Sequence, residues 1–367
     1  EEDFSLGSWG MMIGQIATPT FILTSGLVVG YLYQSRRADW SRLRIHLIDR
    51  AIFLVTVGHL VISLFTATRS GSLGKALFTG YVTDTIAFCV LLGVTVVSRI
   101  TPLLRLTVAG ALYAMAWIAW SYWNPAVPSW IFLKAVFIGP HDPNMIWFWF
   151  PFLPWVSLYL GGSFLGAYVG SQNVKELHTS VAISLIKIAA GALALSVLAT
   201  AIYQYLKYSA HTNLPAVWYE SVSIYQKYPP GPVYFLFFGG IGLMMIGLWC
   251  RFERVWEKQV SVRGLVELGQ YSVVAFLFQY LVYNTVLVIL VTKTSLAPVG
   301  LWPVYLPASV ALLLFLVRTS RRADLIRFCT VGLPVILRGG REPRVHASAS
   351  PVCGERLRDE KMPPHAA

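Results

Sequence analysis

The chain has 367 residues, 56% of them hydrophobic and only 13% charged, with a formal net charge of +12 and a mean hydropathy of +0.61. Water-soluble domains carry about 25% charged residues, so a soluble globular protein is excluded. Lys and Arg fall in the connections between apolar runs, which argues for membrane topology and against a nucleic-acid partner.

The apolar runs are each about 20 residues long, enough to cross about 30 Å of hydrocarbon. A barrel would show alternating segments of about ten residues instead. The fold class is therefore all-α, a polytopic transmembrane helix bundle. In chain order the predicted spans are 9–33, 50–68, 80–98, 104–123, 146–170, 180–204, 232–250, 270–292 and 299–317.

The first connection, 34–49, carries Arg36, Arg37, Arg42 and Arg44. Its side continues with Arg99, Arg105, Lys175, Arg251, Arg254, Lys258, Arg263, Arg318, Arg321 and Arg322. The opposite connections hold only Arg69, Lys75, Lys134, Lys207, Lys227 and Lys293. The positive-inside bias then puts 34–49 and the C-terminus in the cytoplasm, in a cell inner membrane. Residue 1 falls on the outer side, and the simplest expectation is one more helix upstream of it, about ten in all.

Two outer connections, 124–145 and 205–231, are long, aromatic and proline-rich, and loops of that length are commonly functional. The second ends in Tyr225-Gln-Lys-Tyr-Pro-Pro-Gly231, where Tyr225, Lys227 and Tyr228 suit a membrane–water interface and a proline suits a helix start. Residues 1–318 form the membrane domain, and 319–367 a mostly disordered cytoplasmic tail. Cys89, Cys250, Cys329 and Cys353 form no C-x-x-C pair, so neither a zinc site nor a disulfide framework is indicated. No Walker loop, dinucleotide fingerprint or G-x-S-x-G elbow appears.

Ionisable groups inside spans are costly and default to functional candidates. His59 falls near the middle of its span and could be a general base or proton shuttle, or could simply bond a neighbouring helix. Asp84 lies one turn inside the next span, where it could orient an imidazole, bind a substrate hydroxyl or reach interfacial water. Antiparallel neighbours can bring the two together. His141-Asp142, between Pro140 and Pro143, makes a rigid polar corner on the outer side. The arginines of 34–49, with His46 and His178, would attract a phosphate-bearing donor on the inner side, although orientation signalling alone also accounts for them.

Several blocks taken in order carry a resemblance. They are Ala17-Thr-Pro-Thr-Phe-Ile-Leu-Thr-Ser-Gly26, Arg50-Ala-Ile-Phe-Leu-Val-Thr-Val-Gly58, Phe150-Pro-Phe-Leu-Pro-Trp-Val-Ser-Leu-Tyr-Leu-Gly-Gly-Ser-Phe-Leu-Gly166, Lys227-Tyr-Pro-Pro-Gly-Pro-Val-Tyr234 and Leu268-Gly-Gln-Tyr-Ser-Val-Val-Ala-Phe-Leu-Phe-Gln-Tyr280. Over residues 9–290 the chain resembles bacterial relatives of the heparan-alpha-glucosaminide N-acetyltransferase catalytic domain, within the multi-spanning membrane acyltransferases. The resemblance implies transfer of an acetyl or other acyl group from cytoplasmic acyl-CoA to a sugar or glycan beyond the membrane, with no metal.

On that reading His59 and Asp84 are catalytic, and Arg36, Arg37, Arg42 and Arg44 hold the donor. The acceptor meets His141, Asp142, Trp155, Lys227, Tyr228 and Gln279. The family's opening helix would precede residue 1, and Gln279 stands where the family commonly has His. Glutamine can bond a substrate but cannot act as a base. The alternatives are a transporter or flippase, for which no inverted repeat is visible, and a catalytically inactive membrane partner of a glycan-modifying system, which Gln279 favours.

Overall fold

The computed structural model describes residues 6–140, 150–172, 180–209, 220–256, 259–282 and 298–322, and all its named elements are helices. Helix α1 (Leu6–Ser35) leads through a 3₁₀ turn at Arg37–Asp39 into α2, residues 40–70. Then come α3 (Leu73–Leu77), α4 (Val82–Val96), α5 (Pro102–Tyr122), α6 (Pro128–Phe137), α7 (Phe152–Ser171) and α8 (Ala182–Ser209). The last are α9 (residues 232–256), α10 (Val260–Gln270), α11 (Ser272–Leu281) and α12 (Pro298–Arg322). Prolines 102, 128 and 232 open α5, α6 and α9, where a missing N–H leaves no bond unmade.

Six of these helices, α1, α2, α5, α7, α8 and α9, are long and apolar enough to cross a membrane, and the chain is a multi-pass membrane helix bundle. The expected spans 80–98 and 270–292 contain α4 and α11, and 299–317 lies within α12. Residues 34–49 are not a continuous loop: α2 begins at Trp40, so Arg42 and Arg44 ride on a helical extension of the span, while Arg36 and Arg37 lie in the turn before it. The connection 124–145, expected on the outer side, likewise contains a helix, α6. The tail beyond Arg322 lies outside the described residues.

Helix α7 forms the centre. Its most apolar stretch is 72% buried, against 17% for α5 and α8, whose sides turn to the surroundings. Helices α1 and α7 touch backbone to backbone. A methyl on Gly26 or Gly30 would collide with the carbonyl of Tyr159 or Ser163, and one on Gly162 or Gly166 with that of Leu23 or Leu27. Glycines four apart on both helices allow this approach, which replaces the hydrophobic drive that lipid does not supply.

Pro19, inside α1, cannot donate to the carbonyl four residues back. That carbonyl, Gln15, instead accepts the Tyr234 hydroxyl at 3.2 Å. Tyr234 is fully buried and packs against Trp155 and Phe238. One proline in the first span is thus matched by one tyrosine behind the Tyr-Pro-Pro step, as intramembrane prolines require.

Candidate functional site

The site grows from the way the chain leaves α2. Gly71, at φ 67°, ends the helix in the left-handed region that suits glycine. The hydroxyl of Ser72 then caps α3, accepting the Lys75 N–H at 3.3 Å. The segment runs back along α2, because Ser63 donates to the Ala76 carbonyl at 3.2 Å and His59 reaches the Leu77 carbonyl at 2.9 Å. Ser70 lies eleven helical steps beyond His59, so α4 begins about 16 Å below the end of α2. A helix start this deep needs a protein partner for its free N–H groups. Asp84 provides one, its Oδ2 accepting the Tyr81 N–H at 2.8 Å.

His59 and Asp84 meet here. Nδ1 of His59 lies 3.0 and 2.9 Å from the two carboxyl oxygens, with the side chains 21% and 6% exposed. A π-helical turn, Leu54–Gly58, immediately precedes the histidine, a distortion frequent at functional positions. The proton inventory is constrained. Leu77 offers only a carbonyl, so Nε2 carries hydrogen and donates. On the other side either Nδ1 donates to a carboxylate, or a protonated Asp84 donates to Nδ1. In both forms the pair is neutral overall and shares one mobile proton.

The pair forms one end of a cavity of about 810 Å³, within the range of small-molecule sites. Apart from His59, Asp84 and Thr79, its walls are apolar: Phe88 and Leu92 on α4, Leu112 on α5, and Phe152 on α7 among them. Phe78, 71% exposed, and Phe132 stand at its rim on the surface of the bundle. An amphiphile with an alkyl part would fill it better than a bare sugar, since a hydroxyl facing those walls would go unpaired.

The remaining expected residues lie elsewhere. Trp155 is fully buried beside Phe150 and Phe235, so it is a core residue and not a contact for substrate. The Tyr-Pro-Pro step is packed into the bundle and not laid open on its surface. Pro229, Pro230 and Gly231 are buried, with the Pro230 carbonyl accepting the Tyr113 hydroxyl of α5 at 3.0 Å. Tyr228 packs edge-on against Phe150, and the Lys227 ammonium sits 5.8 Å from the Phe150 ring and 5.5 Å from that of Tyr228. Burial lowers the Lys227 pKa to about 8. Neither side chain lines the cavity, nor does half-buried Gln279.

His141 and Asp142 lie outside the described residues. Arg36, Arg37, Arg42 and Arg44 are exposed at the other end of α2. Arg37 bonds the Gln34 amide oxygen at 2.9 Å and lies 5.4 Å from the Tyr33 ring. Sequence reasoning passed over Arg105, counting it as an orientation signal. A cation one turn inside an apolar run was itself the signal. No protein-family model, curated protein or solved structure matches this chain.

Proposed function

We propose that this protein is a membrane acyltransferase. It moves an acyl group from cytoplasmic acyl-CoA to a sugar or glycan on the extracytoplasmic side of the inner membrane, with its C-terminus cytoplasmic. The carrying observation is the His59–Asp84 pair at the end of a large cavity. The ordered resemblance of the five sequence blocks and the charge bias of the connections support the same reading.

In the reaction the acceptor O–H or N–H attacks the thioester carbon. The C–O or C–N bond forms, the C–S bond breaks, the acceptor proton passes to His59, and His59 hands it on to the departing thiolate, which leaves as the free thiol. Asp84 holds the imidazole orientation and balances the imidazolium that forms. For Nε2 to act as the base, the Leu77 carbonyl must part from it and the Nε2 proton must leave to solvent, so that the ring keeps its single hydrogen on Nδ1, facing the Asp84 carboxylate. The apolar walls favour an acyl group longer than acetyl lying in the cavity with its carbonyl at His59.

The bond to Leu77 also favours a second reading, in which the pair is a clamp for residues 71–81 in a catalytically silent partner. Asp84→Asn separates the two. Its amide oxygen still accepts the Tyr81 N–H, while its NH₂ donates to Nδ1 and locks the ring as the Nε2–H tautomer. Proteoliposomes loaded with labelled acyl-CoA should lose acyl transfer to an external glycan by about 10²–10⁴-fold in this variant, with the melting temperature little changed. Unchanged transfer would sink the catalytic role. Uptake of unmodified glycan in place of acylation would support a transporter.

A further inference from the structure

At the opposite end of the bundle from His59, α1 and the α4–α5 turn enclose a second cleft of about 240 Å³. Three arginines line it, Arg37, Arg99 and Arg105, together with Gln34 and the N-cap of α5, Thr101. Arg105 is 1% exposed. Its Nη1 donates to the carbonyl and hydroxyl oxygens of Ser163, at 3.1 and 3.2 Å, and its Nε has no partner. No carboxylate lines the cleft, and none of the three arginines is ion-paired among the described residues. Arg37 and Arg99 are exposed, so water solvates them, but Arg105 is buried with no carboxylate paired to it among the described residues. A cation kept in that state is costly. The start of a 21-residue helix adds the positive end of its dipole at the same place.

We infer that this cleft binds a phosphate group. The buried arginine would supply the fixed contact, and the two exposed arginines would close over the remaining oxygens. The volume admits a phosphate or diphosphate and falls short of the roughly 300–1,000 Å³ that whole small-molecule ligands occupy, so the rest of the ligand lies outside. Two sources share this chemistry: the phosphates of a coenzyme A donor and the headgroup of an anionic phospholipid. The donor source rests on the acyltransferase reading. It has a geometric basis, because α4 runs from the site of Asp84 to this cleft. The twelve residues from Asp84 to Val96 rise about 18 Å, the order of an extended pantetheine arm.

The test uses full-length protein in phosphatidylcholine nanodiscs, titrated by calorimetry with inorganic pyrophosphate and with 3′,5′-ADP. The comparison is the Arg37→Gln/Arg99→Gln double variant, whose two sites are exposed and carry no buried bond. Saturable binding that weakens at least about tenfold in the variant, and falls as salt rises, supports the site with a soluble donor. If neither anion binds, but phosphatidylglycerol in the nanodisc raises the melting temperature of the wild type and not of the variant, the site holds with a lipid source. Equal behaviour of the two proteins in both arms overturns the proposal. Phosphate binding without acyl transfer would remove the enzyme reading and leave the site. Transfer that persists with no difference in binding would do the reverse.

Discussion

Single side chains in this bundle matter most where they satisfy a backbone group that lipid cannot. Tyr234 is the clearest case, since the Gln15 carbonyl it bonds was freed by Pro19. Tyr234→Phe should keep the ring packing against Trp155 and lose that bond, destabilising the fold by about 1–3 kcal/mol. Thermal unfolding in detergent would measure it, and a loss below a few tenths would show that the carbonyl finds water or another donor. Proline in an apolar run was visible in the sequence as an interruption. Its partner, 219 positions beyond Gln15, was not, because nothing local to Tyr234 marks it as a cap. His59 and Asp84 were legible as costly intramembrane groups whose helices could be neighbours. The Leu77 carbonyl, which decides where the ring's second proton sits, carries no sequence signal at all.

Among elements, the closest contact is between α1 and α7, and glycine makes it. Gly161 and Gly162 adjoin in sequence but differ in surroundings: a methyl on Gly161 meets open space, whereas one on Gly162 meets the Leu23 backbone. Gly162→Ala should therefore destabilise the bundle by about 1–3 kcal/mol through overpacking. Gly161→Ala should be neutral or gain up to about 1 kcal/mol from helix propensity. Equal melting temperatures would mean that the two helices are not held as closely as described. The spacing of these glycines was readable in the chain, but which of an adjacent pair faces the partner depends on helix rotation. Residues 71–81 were harder still. A five-residue helix folding back beside α2 leaves no hydropathy signature, so the expected span 80–98 gave no warning that α4 starts deep in the bundle.

At the scale of the whole molecule, the two cavities lie at different depths, one apolar and closed by a His–Asp pair, the other small and cationic. An enzyme that takes its donor from one compartment and serves an acceptor in the other needs such a separation, and it implies an orientation. In a cysteine-free background, Arg42→Cys should react with a membrane-impermeant maleimide only after the cells are opened. Tyr225→Cys, at a position 66% exposed, should react in intact cells. The reverse pattern would invert the topology and remove donor binding at the arginine-rich end.

Class followed from the chain alone because it depends on a sum, enough apolar residues in a row to span hydrocarbon, and the expected orientation rests on another, the arginines on alternate connections. Arg36, Arg37, Arg42 and Arg44 stood out for the same reason, by local density. What only the tertiary structure decided were matters of approach between distant segments. Trp155 went to the core, the Tyr-Pro-Pro turn sank against α5, and Arg105 was left buried beside Arg99 and Arg37 without a carboxylate. Each depends on how helices rotate and how deep they start, quantities that side-chain packing sets and that hydropathy, averaged along one helix, cannot carry.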